Sequence, residues 1–306
     1  MPRSPRLAVV GSINIDLIAR TATLPRPGET VGGGSFSRLP GGKGANQAIA
    51  AAALGIATRL IGAVGDDADG ALVRAALVAA DVDESSVRTA SEPTGVALIG
   101  IDAAGENQIS VCPGANDAVT VPADAFAHGE AVLVQLEVPM AAVVDAARAC
   151  TGFFAVNAAP AAELPGEVLQ RADLVIVNET EFAAIPALHG GGSGSGAGSG
   201  SGSGRSARPL VAVSLGADGA KLLRDGVEVA RASSQAVAVR STVGAGDAFC
   251  AALVAALISG VAEDAALAAA CAVGAAAVAD ERSQPALQPL AAYLPAGVSP
   301  GDASRR

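Results

Sequence analysis

Short runs of aliphatic residues alternate along the chain with longer alanine-rich segments. The aliphatic runs cover residues 7–10, 59–64, 131–136, 153–156, 174–177 and 210–214. The alanine-rich segments of helical length cover residues 46–54, 70–80, 140–150, 247–258 and 263–279. Continuous apolar runs of strand length are typical of buried parallel strands. Their alternation with helices predicts an α/β three-layer sandwich with a mainly parallel central sheet, whose ligands bind at the carboxyl ends of the strands.

Two segments depart from this alternation. Residues 18–40 contain a run of three glycines between short polar stretches, and residues 95–112 have the pattern of two strands joined by a turn at 102–106. Together they predict a small β-sheet that forms a lid over a cleft. Residues 190–204 are almost entirely glycine and serine, which predicts a flexible surface loop inside a single domain that spans residues 1–306.

The composition favours one compact enzyme. The chain has 306 residues, 51% of them hydrophobic, and a formal net charge of −10. This charge gives no electrostatic footprint for nucleic acid or an anionic membrane, and the apolar segments fall short of the ~20 residues that a spanning helix needs. The four cysteines form no CxxC pair, and the N-terminus lacks the pattern of a signal peptide. We therefore expect buried thiols in a cytoplasmic protein.

The glycine-rich segment at residues 241–247 is a candidate site of chemistry. Small residues at Gly244, Ala245 and Gly246 allow a tight turn that leaves backbone N–H groups free where the next helix begins. Such a helix N-terminus binds anions, and its N–H donors can stabilise a transferring phosphoryl group. Asp247 can accept the proton of an attacking hydroxyl. The alternative is an ordinary Asp N-cap after a glycine turn.

Two further polar segments suggest a polar ligand. The turn at residues 40–46 is not a Walker A loop, because Lys43 is followed by Gly44 instead of Ser or Thr. It allows close backbone approach to a ligand, or it is a simple helix-entry turn. Asn14 and Asp16 follow the first strand and lie two residues apart, so in extended chain both project to one side. Their donors and acceptors suit a polyol, and an Asx turn is the alternative.

A third polar segment ends one strand and starts a helix. Asn178 and Glu181 are three residues apart and can together hold a hydrated Mg²⁺. The same spacing also predicts a capping box. A dinucleotide-dependent dehydrogenase is excluded, because no GxGxxG motif follows the first strand.

These segments, in this order, resemble the ribokinase-like, or phosphofructokinase-B, carbohydrate kinase family over nearly the whole chain. The matching runs are GSIN at 11–14, PGETV at 27–31, GGKGANQA at 41–48, TGVAL at 94–98, QLE at 135–137, NAAPA at 157–161, NETE at 178–181 and TVGAGD at 242–247. The resemblance implies MgATP-dependent phosphorylation of D-ribose at the 5-hydroxyl. Another sugar or nucleoside kinase of the family is an alternative, and a sugar-binding relative without turnover is a second one.

The resemblance also implies roles for individual residues. Sugar contacts are implied for Asn14, Ile15, Asp16, Gly42, Lys43, Gly44, Ala45, Asn46, Glu137 and Asp247. Nucleotide contacts are implied for Asn178, Ser214, Leu215, Gly216, Ala217, Asp218, Gly219, Gly246, Asp247 and Cys271. By the same likeness Asp247 is the general base, residues 244–246 form the anion hole, and Asn178 and Glu181 hold Mg²⁺ through water. Lids of the family clasp in pairs, which implies a homodimer.

Several positions depart from the family pattern. The family members that this chain resembles usually carry Asp where Ser241 stands, and that carboxylate helps to bind an activating K⁺ ion. The corresponding cation region here comprises Ser241, Val243, Ala277, Asp280, Arg282 and Ala286. Arg282 can place its own charge there, whereas Asp280 or Glu281 can restore a carboxylate, so the sequence leaves K⁺ activation open. Cys271 replaces a frequent His against adenine, which predicts a change in nucleotide affinity.

Overall fold

The computed structural model describes residues 5–190, 208–280, 282 and 284–301. Most of the glycine and serine segment predicted at 190–204 lies outside the described residues, as does Glu281. The strands are β1 Arg6–Val10, β2 Asn14–Arg20, β3 Ser35–Gly41, β4 Ala57–Gly65, β5 Val87–Ala90, β6 Gly95–Ile101, β7 Asn107–Cys112, β8 Ala131–Gln135, β9 Phe154–Asn157, β10 Leu174–Asn178, β11 Leu210–Ser214, β12 Ala220–Arg224 and β13 Val227–Ala232. The helices are α1 Lys43–Ala53, α2 Ala68–Ala79, α3 Met140–Ala149, α4 Gly166–Arg171, α5 Glu179–Ala184, α6 Ala245–Ile258 and α7 Glu263–Val278.

The larger sheet has nine strands in the order β13-β12-β11-β10-β9-β8-β1-β4-β5. Strands β11 to β5 in this order pair in parallel, which confirms the predicted mainly parallel sheet. The strands β12 and β13 add an antiparallel edge that the sequence pattern did not indicate. Because Gln135 pairs with Asn157 and Asn178 pairs with Ser214, the carboxyl ends of four neighbouring strands lie side by side.

Helices cover both faces of this sheet. On one face a core cluster joins the sheet to α1, α2, α6 and α7, and on the other face a second cluster joins it to α3, α4 and α5. In α6 every residue from Ala248 to Ala256 is buried, so this helix has no polar face along most of its length. Its alanines allow close packing against α1 and α7. The start of α6 is thereby held firmly at the carboxyl edge of the sheet.

The smaller sheet, called the lid sheet below, has the order β3-β2-β6-β7. Its strand β2 begins at Asn14, so Asn14 and Asp16 belong to the base of the lid sheet, outside the segment predicted at 18–40. They alternate with the fully buried Ile15 and share their face with buried residues of a small apolar cluster. The start of β2 therefore lies where the main domain and the lid sheet meet, and it places the polar side chains of Asn14 and Asp16 there.

The cysteines follow the prediction with one exception. Cys150, Cys250 and Cys271 are buried, whereas Cys112 is exposed. The prediction was wrong for Cys112 because it ends the edge strand β7, all six residues of which are exposed. In the part of the chain that the structure describes, no helix is long and apolar enough to cross a membrane.

Candidate active site

The N-terminus of α6 is built from a glycine turn. Gly244 caps the helix with φ of 79°, a left-handed conformation that favours glycine. The first hydrogen bond within the helix runs from Ala248 N–H to the Gly244 carbonyl at 2.9 Å. The N–H groups of Gly246 and Asp247 come before this bond, so the helix itself supplies no acceptor for them. A Cβ added to Gly246 would meet no atom within 4 Å. The fold therefore does not itself require glycine there, and the missing side chain leaves room above the helix end.

A polar cavity of about 290 Å³ lies between this helix end and the lid sheet. It is lined by most of the predicted sugar contacts, which are Asn14, Asp16, Gly42, Lys43, Asn46, Glu137 and Asp247. The structure does not place Ile15, Gly44 or Ala45 in this lining. Ile15 and Ala45 are fully buried in the core. Gly44 lies against the backbone of Gly11, where an added Cβ would come within 2.7 Å of the Gly11 Cα.

The side chains of the polar cavity are held by partners that the sequence did not indicate. Asn116 donates from Nδ2 to Asn14 Oδ1 at 2.8 Å and accepts from Ile13 N–H at 2.8 Å. The Ser12 hydroxyl donates to Glu137 Oε2 at 2.6 Å. Asn116 lies about one hundred residues from its partners, so no local pattern could reveal the contact. Ser12 stood in a run that carried the family resemblance, without an assigned role.

Asp247 is held by two consecutive residues of α1. Asn46 Nδ2 donates to Asp247 Oδ2 at 3.2 Å, and Gln47 Nε2 donates to Asp247 Oδ1 at 3.0 Å. Asn46 lines the polar cavity, whereas Gln47 is fully buried behind it. The Oδ1 atom of Asp247 thus faces the interior, and its Oδ2 atom lies on the side of the cavity.

Charges in the polar cavity perturb one another. Burial, together with the carboxylates of Glu137 and Asp247, raises the pKa of Asp16 to about 7 against the opposing effect of Lys43. Burial works against the charged form of Lys43, yet nearby carboxylates outweigh it and raise its pKa above the ordinary value. Asp247 contributes most to that rise. The cavity therefore combines one stable ammonium with a carboxyl group that titrates near neutral pH.

Asn178 and Glu181 form a complete capping box and also line the polar cavity. Glu181 N–H donates to Asn178 Oδ1 at 2.8 Å, and Asn178 N–H donates to Glu181 Oε2 at 2.8 Å. Burial raises the pKa of Glu181 above its ordinary value, opposed by that backbone bond and by Lys43. The capping-box prediction is confirmed. The box fixes two oxygen-bearing side chains at the edge of the cavity, and their role in holding Mg²⁺ stays a prediction.

A second, more apolar cavity of about 610 Å³ adjoins the first. Of the predicted nucleotide contacts it is lined by Ser214, Gly216, Ala217, Gly219, Gly246 and Cys271. Leu215 and Asp218 are not in its lining, and Asn178 and Asp247 line the polar cavity instead. Apolar side chains that sequence reasoning did not assign complete the wall, namely Val237, Val239, Phe249, Ala275 and Val278.

The two cavities meet at the start of α6, where both are lined by Ser214, Thr242, Gly246 and Phe249. Burial raises the pKa of the Cys271 thiol to about 11, so this thiol is neutral in the wall of the second cavity. The arrangement joins a polar, charged pocket to a mainly apolar one across a helix N-terminus. It can hold a polar acceptor and a larger, partly apolar donor with their reacting groups at the helix end.

The predicted cation region contains a carboxylate that is already paired. The Ser241 hydroxyl accepts from Val243 N–H at 3.3 Å and is buried. Asp280 accepts from Arg282 Nε at 2.9 Å and Nη2 at 2.6 Å, and also from Ala286 N–H at 3.1 Å. The guanidinium holds the pKa of Asp280 well below its usual range. These described residues therefore do not fit a monovalent cation well, because the one carboxylate among them is neutralised by Arg282.

Known proteins that are similar to this chain belong to one family. The model of the pfkB family carbohydrate kinases matches residues 4–289. The chain is 33% identical to a ribokinase of Haemophilus influenzae over 82% of this chain and 85% of that protein. It is 31% identical to a ribokinase of Arabidopsis thaliana over 84% of this chain and 72% of that protein.

Relatives and solved structures extend the comparison. The bifunctional ribokinase/ribose-5-phosphate isomerase A of Fructilactobacillus sanfranciscensis is 37% identical over 60% of this chain, and the match covers 36% of that longer protein. The structure of Arabidopsis thaliana ribokinase complexed with ribose and ATP superposes with a TM-score of 0.78 at 28% identity, covering 95% of this chain and 98% of that one. With a matching fold, a family model that matches residues 4–289, and two ribokinases matched over 85% and 72% of their length, the chain belongs to the pfkB family of carbohydrate kinases.

Proposed function

We propose that this chain transfers the γ-phosphoryl group of ATP to the 5-hydroxyl of D-ribose, giving D-ribose 5-phosphate and ADP. The observation that carries the proposal is that the polar and apolar cavities meet beside Asp247 at the start of α6. Relatives that are ribokinases, and a structural neighbour solved with ribose and ATP, support these two substrates.

The polar cavity has the donors and acceptors that a sugar needs. Asn46 is only 8% exposed, and its Oδ1 atom has no hydrogen-bond partner among the described residues. A buried acceptor of this kind is costly unless a ligand hydroxyl donates to it. On the facing lid strand Asp16 offers its carboxylate oxygens, and Asn14, whose Oδ1 accepts from Asn116, offers its NH₂ group. A polyol bound here would satisfy the unpaired oxygen of Asn46 and bring a hydroxyl towards Asp247.

In the reaction, Asp247 accepts the proton of the 5-hydroxyl while the hydroxyl oxygen attacks the γ-phosphorus. The new bond joins this oxygen to phosphorus, and the bond between the γ-phosphorus and the β,γ-bridging oxygen breaks, so that ADP leaves. Backbone N–H groups of residues 244–246 and the positive end of α6 stabilise the charge on the transferring group. The open space at Gly246 gives the phosphoryl group room to approach these donors.

Asn178 and Glu181 are the residues that would hold hydrated Mg²⁺. Their amide and carboxylate oxygens line the polar cavity, and such a small donor set suits Mg²⁺, which usually takes one or two carboxylates together with phosphates and waters. When bound, Mg²⁺ supplies charge neutralisation on the phosphate oxygens. For K⁺ the described residues fit poorly, and we propose that activity does not depend on a monovalent cation.

A coupled assay of ADP formation tests the proposal. Ribose, deoxyribose, fructose, ketodeoxygluconate and adenosine would be compared, and ribose should give the highest kcat/KM. The Asp247→Asn variant should bind ribose with little change and lose turnover. A wild type that prefers another acceptor would refute ribose as the substrate, and one that binds ribose without consuming ATP would indicate a binding protein.

One observation supports the presence of adenosine, a nucleoside, in that panel. Ile109 and Val111 of β7 line the polar cavity, and these residues remain about half exposed at 54% and 45%. Such apolar surface could cover either a bare sugar or a nucleobase attached to it. Adenosine outperforming ribose in the assay would identify the chain as a nucleoside kinase.

The lid sheet also supports the proposed homodimer. Phe36 and Leu98 expose 68% and 48% of their surface on this sheet, and all six residues of β7 are exposed. Exposed apolar side chains of this size are common where a second chain packs. Sedimentation velocity should show a dimer for the wild type and a monomer for a Leu98→Arg variant. A wild type that sediments as a monomer at high concentration would refute the lid dimer.

A further inference from the structure

A chain of buried amide side chains lies directly behind Asp247. Gln47 and Gln135 are fully buried and Asn157 is 6% exposed. Gln47 Nε2 donates to Asn157 Oδ1 at 2.9 Å as well as to Asp247 Oδ1 at 3.0 Å. Gln135 Nε2 donates to Gln47 Oε1 at 2.5 Å. These bonds connect the first turns of α1 and α6 to the carboxyl ends of the neighbouring strands β8 and β9.

The orientation of each amide side chain in this hydrogen-bonded network is determined by its partners on both sides. Asn157 Nδ2 donates to the carbonyl of Ile176 at 3.2 Å, so Asn157 Oδ1 must face Gln47. An ionised Asp247 can only accept, so it also requires the NH₂ group of Gln47. Gln47 Oε1 is then left to accept from Gln135. A flipped Gln47 would place its oxygen against two acceptors, which rules out the other orientation.

Packing alone does not account for these residues. The surrounding core consists of alanine and aliphatic side chains, and apolar residues of similar shape would fill the same space without buried polar atoms. Gln135 Oε1 is buried and has no partner among the described residues, so the network keeps an unsatisfied acceptor. Buried polar groups that occupy core positions where apolar residues would pack as well are expected at functional sites.

We infer that Gln47 is a positioning residue that aims the Asp247 carboxylate, with Gln135 and Asn157 fixing its amide. This inference rests on the proposed role of Asp247 as the base. Gln47 occupies Oδ1 from the interior, while Asn46 meets Oδ2 on the cavity side. Oδ2 is therefore the oxygen that takes the proton from the acceptor hydroxyl. The network holds this oxygen in place through rigid elements instead of loops.

Two substitutions of Gln47 separate positioning from packing. Gln47→Met keeps the volume and removes the donor, so kcat should fall about 10- to 100-fold, as expected for a misaligned base, while ribose affinity changes little. Gln47→Glu keeps the shape, and its carboxyl group can donate to Asp247 only while the pair holds one proton. The pH profile of kcat/KM for Gln47→Glu should therefore gain an alkaline limb that the wild type lacks.

Thr58→Val is the matched control. Thr58 is buried at the opposite end of the sheet, in β4, and its hydroxyl donates to the Ile56 carbonyl at 2.8 Å. This variant also loses a buried hydrogen bond, so it should lower the melting temperature without changing kcat or the pH profile. The melting temperatures of all variants show whether a loss of kcat is larger than the accompanying loss of stability can explain.

The outcomes are distinct. Gln47→Met with wild-type kcat, or a Gln47→Glu profile parallel to that of the wild type, would overturn the positioning role. So would a loss of kcat in both variants that merely tracks their melting temperatures. If the wild type phosphorylates no acceptor in the panel, the proposed function itself fails. If the wild type is active and the Gln47 variants match it, only this inference fails.

Discussion

The raised pKa of Asp16 predicts that sugar binding depends on pH. The cause is burial together with the negative charges of Glu137 and Asp247, which Lys43 only partly offsets. These four groups meet in the polar cavity where the sugar is proposed to bind. The ionised Asp16 carboxylate accepts hydrogen bonds from sugar hydroxyls on both oxygens, and these charge-assisted bonds are stronger than those that the protonated acid accepts. We therefore expect ribose to bind the ionised form and to displace the proton.

The sign and size of the effect follow from a free-protein pKa of about 7. At pH 6 about one tenth of the Asp16 carboxyl groups are ionised, and at pH 8 about nine tenths, so the competent fraction rises about tenfold. The apparent Kd equals the intrinsic Kd divided by the competent fraction. The apparent Kd for ribose should therefore fall about tenfold from pH 6 to pH 8, equivalent to about 1.4 kcal/mol.

Isothermal titration calorimetry without ATP measures this dependence. Runs at pH 6, 7 and 8 give the slope, and buffers of different ionisation enthalpy at pH 6 should reveal the release of close to one proton. Asp16→Asn should bind ribose more weakly and with no slope. Asp145→Asn removes an exposed carboxylate of α3 outside the cavity and should keep the wild-type slope. A Kd that is constant from pH 6 to pH 8, or a slope that survives in Asp16→Asn, would refute the reasoning.

Four further outcomes are expected. Asp247→Asn should lower kcat by about 10²- to 10⁴-fold in single-turnover kinetics, because the base acts only in the transition state. Gly246→Ala should lower kcat or raise KM for ATP without lowering the melting temperature, because its methyl group meets only the open cleft. Glu130→Gln should lower the free energy of unfolding in urea by about 3 kcal/mol, because it leaves the largely buried Arg59 without its ion pair. Steady-state activity should differ little among Na⁺, K⁺ and Cs⁺ buffers.

Each of these outcomes can be contradicted. Substantial turnover by Asp247→Asn would exclude it as the base, and a destabilised Gly246→Ala would show that the helix end is tighter than its geometry indicates. Wild-type urea stability of Glu130→Gln would mean that the ion pair contributes little. Strong activation by K⁺ alone would show that the region around Ser241 and Asp280 binds this ion in spite of Arg282.

The regular elements and the candidate loops were predictable because their signals are local. Apolar runs of strand length, alanine-rich segments and glycine turns depend on residues a few positions apart, so the parallel sheet and the start of α6 could be inferred directly. The lid was predicted to begin at residue 18, whereas its strand β2 begins at Asn14, because the polar Asn14 and Asp16 interrupt the apolar pattern of this strand. These polar residues face a cavity, and only the pairing of β2 with β3 and β6 shows that they belong to the lid sheet.

The sequence by itself determined the fold class, the glycine turns and the presence of Asp247 at a helix start. Only the tertiary structure decided the environment of that residue. Gln47 lies two hundred residues from Asp247 and about ninety from Gln135, and Asp16 is perturbed by carboxylates from two distant segments. Such contacts depend on the register of parallel strands and on the packing of α1 against α6. No pattern within one segment encodes them, because they arise when separate crossovers meet at one edge of the sheet.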